Sequence, residues 1–204
     1  MNDLANLKSP AVLDAILADT AALNFQMLSE PLTGALLRSL CASKPGGRFL
    51  ELGTGTGAAT AWMLDGMDAR STLWTVDCEA GLVAIAQAHL AADPRVSFFV
   101  QDGGPFLEML AQQGESFDLI FADTWPGKYT HLDLVLSLVK PGGLYLIDDM
   151  LPQANWSEGH APKVAALIAD LEQRSEWAIA KLAWASGIVL ATRRPFLPVH
   201  PERR

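Results

Sequence analysis

Residues 49–60, FLELGTGTGAAT, place three glycines within five positions directly after an apolar run. An apolar run followed by a glycine-rich loop and by helix-forming residues is typical of a β-strand, a tight turn and an α-helix. In that arrangement glycine lets the backbone approach a ligand closely, and free N–H groups at the helix N-terminus point at it. The stretch therefore predicts a binding site for a polar ligand at the end of a strand.

On both sides of this loop, short apolar runs alternate with helical stretches. The runs that predict strands are RFLEL, TLWTVD, VSFFVQ, FDLIFAD and GLYLIDD, and the helices between them are predicted near residues 57–66, 79–91, 104–112 and 128–139. Strands that are apolar on both faces and separated by helices indicate a parallel sheet that is covered on each side. The predicted fold class is therefore α/β, with a doubly wound sheet.

The two ends of the chain carry different patterns. Apolar positions at helical spacing predict two amphipathic helices between residues 10 and 43. Near the other end, the runs WAIAKLAW and IVLATR are separated by the tight turn ASG, which predicts an antiparallel hairpin. We interpret the chain as one domain in three parts: N-terminal helices in residues 1–43, a core in 44–193 and an irregular tail in 194–204.

The composition excludes several classes of protein. The 204 residues include 15 Lys and Arg against 23 Asp and Glu, a net charge of −8, so we do not expect a nucleic-acid partner. No stretch reaches the roughly 18 apolar residues of a membrane span, and the N-terminus lacks a signal-peptide pattern. We therefore expect no membrane association and a cytoplasmic location. Cys41 and Cys78 are too few for a disulfide framework.

Two classes of ligand fit the glycine loop. Gly53, Gly55 and Ala58 satisfy the G-x-G-x-x-A pattern of dinucleotide-binding folds, which indicates a nicotinamide- or flavin-dependent oxidoreductase. The alternative ligand is S-adenosylmethionine, which carries a positive sulfonium. Because the carboxylate of Glu51, just before the loop, would repel a pyrophosphate and attract a cation, it favours S-adenosylmethionine.

Two further strand ends carry side chains suited to an adenosyl group. Asp77 ends the second predicted strand, where a carboxylate can accept hydrogen bonds from a ribose diol in either interpretation. Gln101 and Asp102 end the third predicted strand, where a side-chain acceptor can meet an adenine amino group. These positions extend the predicted site from the glycine loop across two neighbouring strands.

Four segments carry the motifs of a known family in the family's order and spacing: FLELGTGTGAATAWM, WTVDCEA, FDLIFADTWPGKY and VKPGGLYLIDDM. With them the chain resembles the class I S-adenosylmethionine-dependent methyltransferases over residues 30–193. The segment ADTWPGKY followed by LIDD is similar to the catechol O-methyltransferase-like group, which methylates phenolic hydroxyls with a divalent metal. The resemblance implies a Rossmann-like seven-stranded sheet in the order 3-2-1-4-5-7-6, with strand 7 antiparallel.

The resemblance also implies which residues contact the cofactor. They are Glu51, Gly53, Gly55, Thr60, Asp77, Asp102 and Asp123, with Trp125 packed near the adenine. We also predict cofactor contacts at Thr54, Gly57, Cys78 and Gln101. Two of these predicted contact residues have structural interpretations as well. Gly57 fits the close packing of a helix, and Thr60 fits a hydroxyl that bonds back to its own helical turn.

Three carboxylates follow the fourth and fifth predicted strands. Asp123 ends the fourth, and Asp148 and Asp149 end the fifth, so they meet at one edge of the sheet, where parallel neighbours lie ~4.8 Å apart. Such oxygens suit Mg²⁺, Mn²⁺ or Ca²⁺, and a bound metal would help to ionise a substrate hydroxyl. The resemblance implies the same ligand positions, with Asp149 in place of the family's asparagine. The alternative is that the three carboxylates cap the loops that follow.

The candidate general base departs from the family pattern. The resemblance implies a lysine three residues after Asp123, but Pro126 occupies that position and Lys128 follows two positions later. We predict Asp123 and Lys128 as catalytic residues, with Lys128 reaching the substrate from its loop. The alternatives are that a metal alone ionises the hydroxyl, or that Lys128 is a solvated surface residue.

The acceptor side of the site is predicted in residues 150–162, a loop-rich stretch in which Met150 and Trp156 could form an apolar wall for an aromatic ring. The histidines that lack metal-ligand spacing, and that we interpret as structural, are His89, His131 and His160.

The sequence thus predicts an S-adenosylmethionine-dependent O-methyltransferase that acts on a hydroxyl of a small aromatic acceptor, with a divalent cation as a second cofactor. The alternatives are a nicotinamide-dependent oxidoreductase that uses the same loop and a non-catalytic cofactor-binding module. The two N-terminal helices could cover the site or pair with a second copy of the chain, which would give a homodimer.

Overall fold

The computed structural model describes residues 2–154 and 156–195. Its strands are β1 (Arg48–Leu52), β2 (Thr72–Asp77), β3 (Val96–Val100), β4 (Phe117–Ala122), β5 (Val139–Ile147), β6 (Trp177–Leu182) and β7 (Ile188–Arg193). Its helices are α1 (Leu13–Ala22), α2 (Pro31–Ala42), α3 (Ala58–Gly66), α4 (Ala80–Leu90), α5 (Gly103–Gln112), the short α6 (Trp125–Lys128), α7 (Leu132–Ser137) and α8 (His160–Gln173). Among the helices of this described part, none is long and apolar enough to cross a lipid bilayer.

The seven strands form one sheet in the order β3-β2-β1-β4-β5-β7-β6. Strands β1 to β5 pair in parallel, whereas β7 runs antiparallel to both β5 and β6. The predicted α/β fold class, strand order and C-terminal hairpin are therefore confirmed. Helices α3, α4 and α5 begin and end within one residue of their predicted bounds, and α1 and α2 are the two predicted N-terminal helices.

Strand β1 lies in the middle of the sheet, and its side chains alternate between two apolar cores. Phe49 packs in the core formed with α1, α2 and α3, whereas Leu50 and Leu52 pack in the core formed with α5, α7 and α8. All three side chains are almost completely buried. Burial on both faces explains why the strand is an unbroken apolar run, and it fixes where the glycine loop leaves the sheet.

The helix predicted over residues 128–139 is wrong in its bounds. The chain forms a turn at α6, then the shorter α7, and Val139 already belongs to β5. The left-handed His131, at φ 58°, is the N-cap of a new helix, α7. Gly142, at φ 76°, lies in β5 where the pairing of β5 with β4 shifts register. Strand β3 ends at Val100, so Gln101 lies beyond it. Most of the predicted irregular tail, residues 196–204, lies outside the described residues.

Helices α2 and α3 pack at a distance that only glycine allows. A Cβ on Gly66 would lie 2.1 Å from the carbonyl oxygen of Arg38, which is backbone and cannot move independently. A Cβ on Gly81, in α4, would meet no heavy atom of the described chain within 4 Å. The two helical glycines therefore offer a matched test of this packing.

We expect Gly66→Ala to lower the free energy of unfolding by about 1–3 kcal/mol, because the added methyl forces α2 and α3 apart. We expect Gly81→Ala to raise it by about 0.5–1 kcal/mol, because alanine loses less backbone entropy in a helix. Urea unfolding of both variants measures the two effects. Equal changes in the two variants would contradict the close packing of α2 on α3.

Candidate functional site

A cavity of about 740 Å³ opens at the carboxyl ends of β1, β2, β4 and β5. This is the edge at which open α/β sheets bind ligands, and the volume is that of a typical small-molecule site. Its wall comes from the glycine loop, from the loops after β2, β3, β4 and β5, and from the covering segment, which we define as residues 25–30 between α1 and α2. The polar side chains of the wall include Asp77, Glu79, Asp102, Asp123, Lys128, Tyr129, Asp148, Asp149, Gln153, Ser157, His160 and Ser186.

The glycine loop approaches β4 closely, which requires glycine at its first position. Gly53 has φ 106°, and a Cβ there would lie 2.6 Å from Cγ2 of Thr124 and 2.9 Å from the carbonyl oxygen of Asp123. Gly55, at φ 50°, donates its N–H to Oδ2 of Asp77 over 2.9 Å. Oδ1 of Asp77 accepts the N–H of Glu79 over 3.0 Å. Asp77 therefore fixes the loop against the end of β2 while its carboxylate still faces the cavity.

Glu51 lies beneath the glycine loop and not on the described cavity wall. Its Oε2 accepts hydrogen bonds from the hydroxyls of Thr60 and Thr75, each over 2.6 Å, and within the described residues its Oε1 has no partner. Burial raises the pKa of Glu51 to about 8, against the lowering effect of the two threonines. The side chains of Glu51 and Thr60 are completely buried and lie off this cavity wall, so the structure gives neither of them a direct contact with a ligand there.

Three further predicted contact residues lie away from the described wall of this cavity. A Cβ on Gly57 would lie 2.8 Å from that of Ala86, so the structural interpretation of Gly57 as a packing glycine fits. The hydroxyl of Thr54 is buried and lies 2.6 Å from that of Thr75. Gln101 is exposed, because β3 ends before it and the wall begins at Asp102.

Asp102, Cys78 and Trp125 lie on the cavity wall, as predicted for ligand contacts. Asp102 also caps α5, since its Oδ1 accepts the N–H of Gly104 over 2.7 Å. Cys78 is a free, exposed thiol whose pKa is raised by burial and by the neighbouring Asp77 and Glu79. The indole of Trp125 is 48% exposed, so a large apolar surface borders the cavity.

Asp123, Asp148 and Asp149 meet at one edge of the sheet as predicted, but Lys128 lies among them. Its Nζ donates to the carbonyl oxygen of Asp148 over 2.9 Å and lies 3.4 Å from Oδ1 of Asp123. The side chain of Lys128 is 5% exposed, so it is not a solvated surface residue. The predicted metal site is therefore not supported: within residues 2–154 and 156–195, no three His, Cys, Asp or Glu side chains are arranged to hold a metal ion.

Burial dominates the electrostatics of this acidic edge. It raises the pKa of Asp123 to about 7; Lys128 lowers that pKa, and Asp148 and Asp149 raise it. The pKa of Asp148 is also raised by burial, although its Oδ1 accepts hydrogen bonds from the hydroxyl of Ser186 and from the N–H of Asp149. Carboxylates in such surroundings need an opposite charge nearby to stay ionised.

Beyond the acidic edge, the cavity is bordered by rings. The hydroxyl of Tyr129 lies 3.0 Å from Nε2 of His160, whose imidazole lies 4.4 Å from the ring of Trp156 and edge-on to that of Trp125. Burial raises the pKa of Tyr129 to about 12 and lowers that of His160, which Lys128 and Lys163 lower further. The sequence did not indicate this pair: His160 was interpreted as structural and Tyr129 was not singled out, because no fixed spacing links a residue after β4 to the first turn of α8.

Of the two residues predicted to form an apolar wall for the acceptor, only Trp156 lies at the cavity. Met150 is buried in the core, where its N–H bonds to the carbonyl oxygen of Gly187. The other two histidines lie elsewhere and have acidic partners: Nε2 of His89 lies 2.7 Å from Asp19, and that of His131 lies 3.7 Å from Glu108.

The covering segment connects the N-terminal helices to the site. The hydroxyl of Ser29 donates to Oδ2 of Asp123 over 3.1 Å, and Phe25, Met27 and Leu28 add apolar surface to the cavity. Met27 is 69% exposed. The covering segment therefore lies over the carboxyl edge of the sheet, and the hydrogen bond from Ser29 joins it to Asp123 of the acidic edge.

The chain is similar to methyltransferases in both sequence and fold. The family described as "Methyltransferase domain" matches residues 49–143. A relative from Mycobacterium avium, whose name is that of an O-methyltransferase, is 31% identical over 175 residues, which cover 80% of this chain and 77% of the relative. Among solved structures, an O-methyltransferase from Bacillus cereus in complex with SAH has a TM-score of 0.82 at 20% identity and 93% coverage of each chain. The O-methyltransferase TomG from Streptomyces achromogenes, in complex with SAM, has a TM-score of 0.80 at 20% identity. The match covers 92% of this chain and 91% of TomG.

The raised pKa of Glu51 gives a testable pH dependence of stability. Between its ordinary pKa of 4.5 and its folded-state pKa of about 8, the folded protein holds a proton that the unfolded chain has lost. This group therefore makes the free energy of unfolding fall as pH rises across that window, by up to about 1.4 kcal/mol per pH unit. We expect Glu51→Gln to gain stability relative to the native protein from about pH 5 to about pH 8 in urea unfolding. The exposed Glu158→Gln is the control, and a parallel pH profile of native protein and Glu51→Gln would contradict the assignment.

Proposed function

The chain belongs to the class I S-adenosylmethionine-dependent O-methyltransferases, and on that premise we propose that its cavity holds the cofactor beside a small hydroxylated aromatic acceptor. The observation that carries the proposal is a single cavity that extends from the glycine loop and Asp77 to the rings of Trp156 and His160. One half suits a nucleoside and the other suits an aromatic hydroxyl compound. Family membership favours methyl transfer over the nicotinamide alternative.

In the cofactor half, we assign the ribose diol to Asp77 and the adenine amino group to Asp102. Both carboxylates are on the wall, and Trp125 supplies apolar surface near them. Gly53 holds the loop backbone at the cavity wall, because its close packing on Thr124 and Asp123 leaves no space for a side chain. The sulfonium would face Asp123, whose negative charge stabilises a nearby cation.

In the acceptor half, we assign the aromatic ring of the substrate to the surface formed by Trp156 and the covering segment. Lys128 is a poor general base in its ammonium form, which donates to the carbonyl oxygen of Asp148 and faces the carboxylate of Asp123, because an ammonium has no lone pair with which to accept a proton. We assign that role to His160, which borders the cavity and whose pKa is lowered. A neutral imidazole at pH 7 can accept the hydroxyl proton.

The proposed reaction is a direct in-line displacement. An oxygen lone pair of the acceptor attacks the methyl carbon of the sulfonium while the carbon–sulfur bond breaks and its electron pair returns to sulfur. The acceptor's proton passes to His160, assisted by the hydroxyl of Tyr129 at 3.0 Å. Holding the two reactants in one cavity supplies most of the rate, since it replaces a bimolecular encounter by a fixed geometry.

The cofactor assignment is tested by calorimetric titration with S-adenosylmethionine. We expect Asp77→Ala to weaken its affinity by roughly 10- to 100-fold, about 1.5–3 kcal/mol, because the ribose loses a charged acceptor. The control is Asp65→Ala, which removes an exposed ion pair with Arg38 on the far side of α3. An unchanged affinity in folded Asp77→Ala, or tighter binding of NADH than of S-adenosylmethionine by the native protein, would contradict the proposal.

The base assignment is tested by S-adenosylhomocysteine formation with a panel of catechols and other phenols. We expect His160→Gln to lower kcat by roughly 10²- to 10⁴-fold while S-adenosylmethionine affinity is retained. Because the pKa of His160 is lowered, native activity should persist as pH falls below the ordinary value of 6.5 and be lost only as pH drops through the lowered pKa. His89→Gln, at the pair with Asp19, should retain native turnover. Native turnover in His160→Gln would refute the role, and S-adenosylmethionine binding without turnover on any acceptor would favour a non-catalytic module.

A further inference from the structure

Lys128 is buried among acidic groups because its loop is held in a specific shape. Gly127, at φ 94°, lies against Leu52, so that a Cβ there would be 2.7 Å from Cδ1 of that leucine. The hydroxyl of Tyr145 donates to the carbonyl oxygen of Gly127 over 2.6 Å, and the N–H of Gly127 donates to that of Thr130 over 2.7 Å. These contacts turn the chain so that the Lys128 side chain enters the sheet edge between the ends of β4 and β5.

The oxygens around Lys128 are largely engaged by the chain's own donors. Oδ1 of Asp123 faces Lys128 and its Oδ2 accepts from Ser29. Oδ1 of Asp148 accepts from Ser186 and from the N–H of Asp149, while its carbonyl oxygen accepts from Lys128. Three of the four carboxylate oxygens of Asp123 and Asp148 therefore already have donors.

A divalent cation does not fit this arrangement. Mg²⁺ or Ca²⁺ requires about six or more oxygen ligands at roughly 2.0–2.6 Å, arranged around an empty centre. Here the ammonium of Lys128 lies between the two strand ends, and a second cation within a few ångströms would be repelled at low dielectric. The ammonium of Lys128 thus offsets part of the negative charge of the residues that the resemblance assigns to the metal.

We propose that the ammonium of Lys128 is the built-in cation of this site, in the position that a divalent metal holds in the catechol-like relatives. An ammonium has three N–H donors, of which one bonds to Asp148 and one faces Asp123. Since Lys128 also borders the cavity, the third donor is available to the oxygen of an acceptor. Lys128 would then stabilise the ionising hydroxyl by charge, and the enzyme would need no metal. This role in turnover rests on the proposed methyl transfer.

The test titrates Mn²⁺ and Mg²⁺ against the full chain and measures melting temperature and Mn²⁺ binding by electron paramagnetic resonance. We expect the native protein to show no metal-dependent shift and no stoichiometric Mn²⁺ binding. We expect Lys128→Ala, which leaves Asp123, Asp148 and Asp149 uncompensated, to gain a rise of roughly 2–4 °C in melting temperature at millimolar Mn²⁺. Lys140→Ala, which removes a lysine from its pair with Asp118, is the matched control and should not respond.

A saturable metal response in the native protein would overturn the proposal. The proposal would also be overturned if neither the native protein nor folded Lys128→Ala responded to metal. In that case the carboxylates of the acidic edge would not bind a cation even when Lys128 is removed. The native measurement is decisive by itself if Lys128→Ala does not fold. S-adenosylmethionine affinity, measured in the same native sample with and without EDTA, separates the two proposals. Failure to bind S-adenosylmethionine in either condition would contradict the proposed function alone. An affinity for S-adenosylmethionine that disappears in EDTA would contradict the role of Lys128 as the cation of this site.

Discussion

The interaction between Lys128 and the carboxyl ends of β4 and β5 makes the acidic edge of this sheet possible. Burying a carboxylate without an opposite charge costs several kcal/mol, and two or three together repel one another as well. Asp148 is 1% exposed, and the pKa of Asp123 is raised by burial even with Lys128 nearby. Lys128 therefore favours the charged form of Asp123 and Asp148 against the effect of burial.

The topology of the sheet joins this acidic edge to the glycine loop. Strand β1 pairs with β4, so the loop that follows β1 passes directly over Asp123 and Thr124. A side chain at Gly53 would push the glycine loop away from Asp123 and Thr124. The same glycine thus serves the fold and the site, which is expected where backbone meets ligand at a strand end.

The sequence was sufficient for what depends on local pattern and strand order. The apolar runs, the loop at residues 53–57 and the tight turn before β7 specify elements, and the resemblance supplied the order in which they pair. The sequence did not reveal features that depend on how side chains are oriented in the folded protein. Glu51 faces a neighbouring threonine and not the cavity, because residues of a strand alternate between faces. The orientation of Lys128 depends on a left-handed Gly127, which spacing from Asp123 does not reveal.

The partnership of Tyr129 with His160 was unpredictable for the same reason, since it joins the turn after α6 to the first residue of α8, 31 positions along the chain. The identity of the cation at the acidic edge decides how this site works. A crystal structure of the protein with S-adenosylhomocysteine, soaked in MnCl₂ and measured at the manganese absorption edge, tests this most directly. We expect Nζ of Lys128 between Asp123 and Asp148 and no anomalous peak there. An anomalous peak coordinated by Asp123, Asp148 and Asp149, with Lys128 displaced, would contradict this expectation.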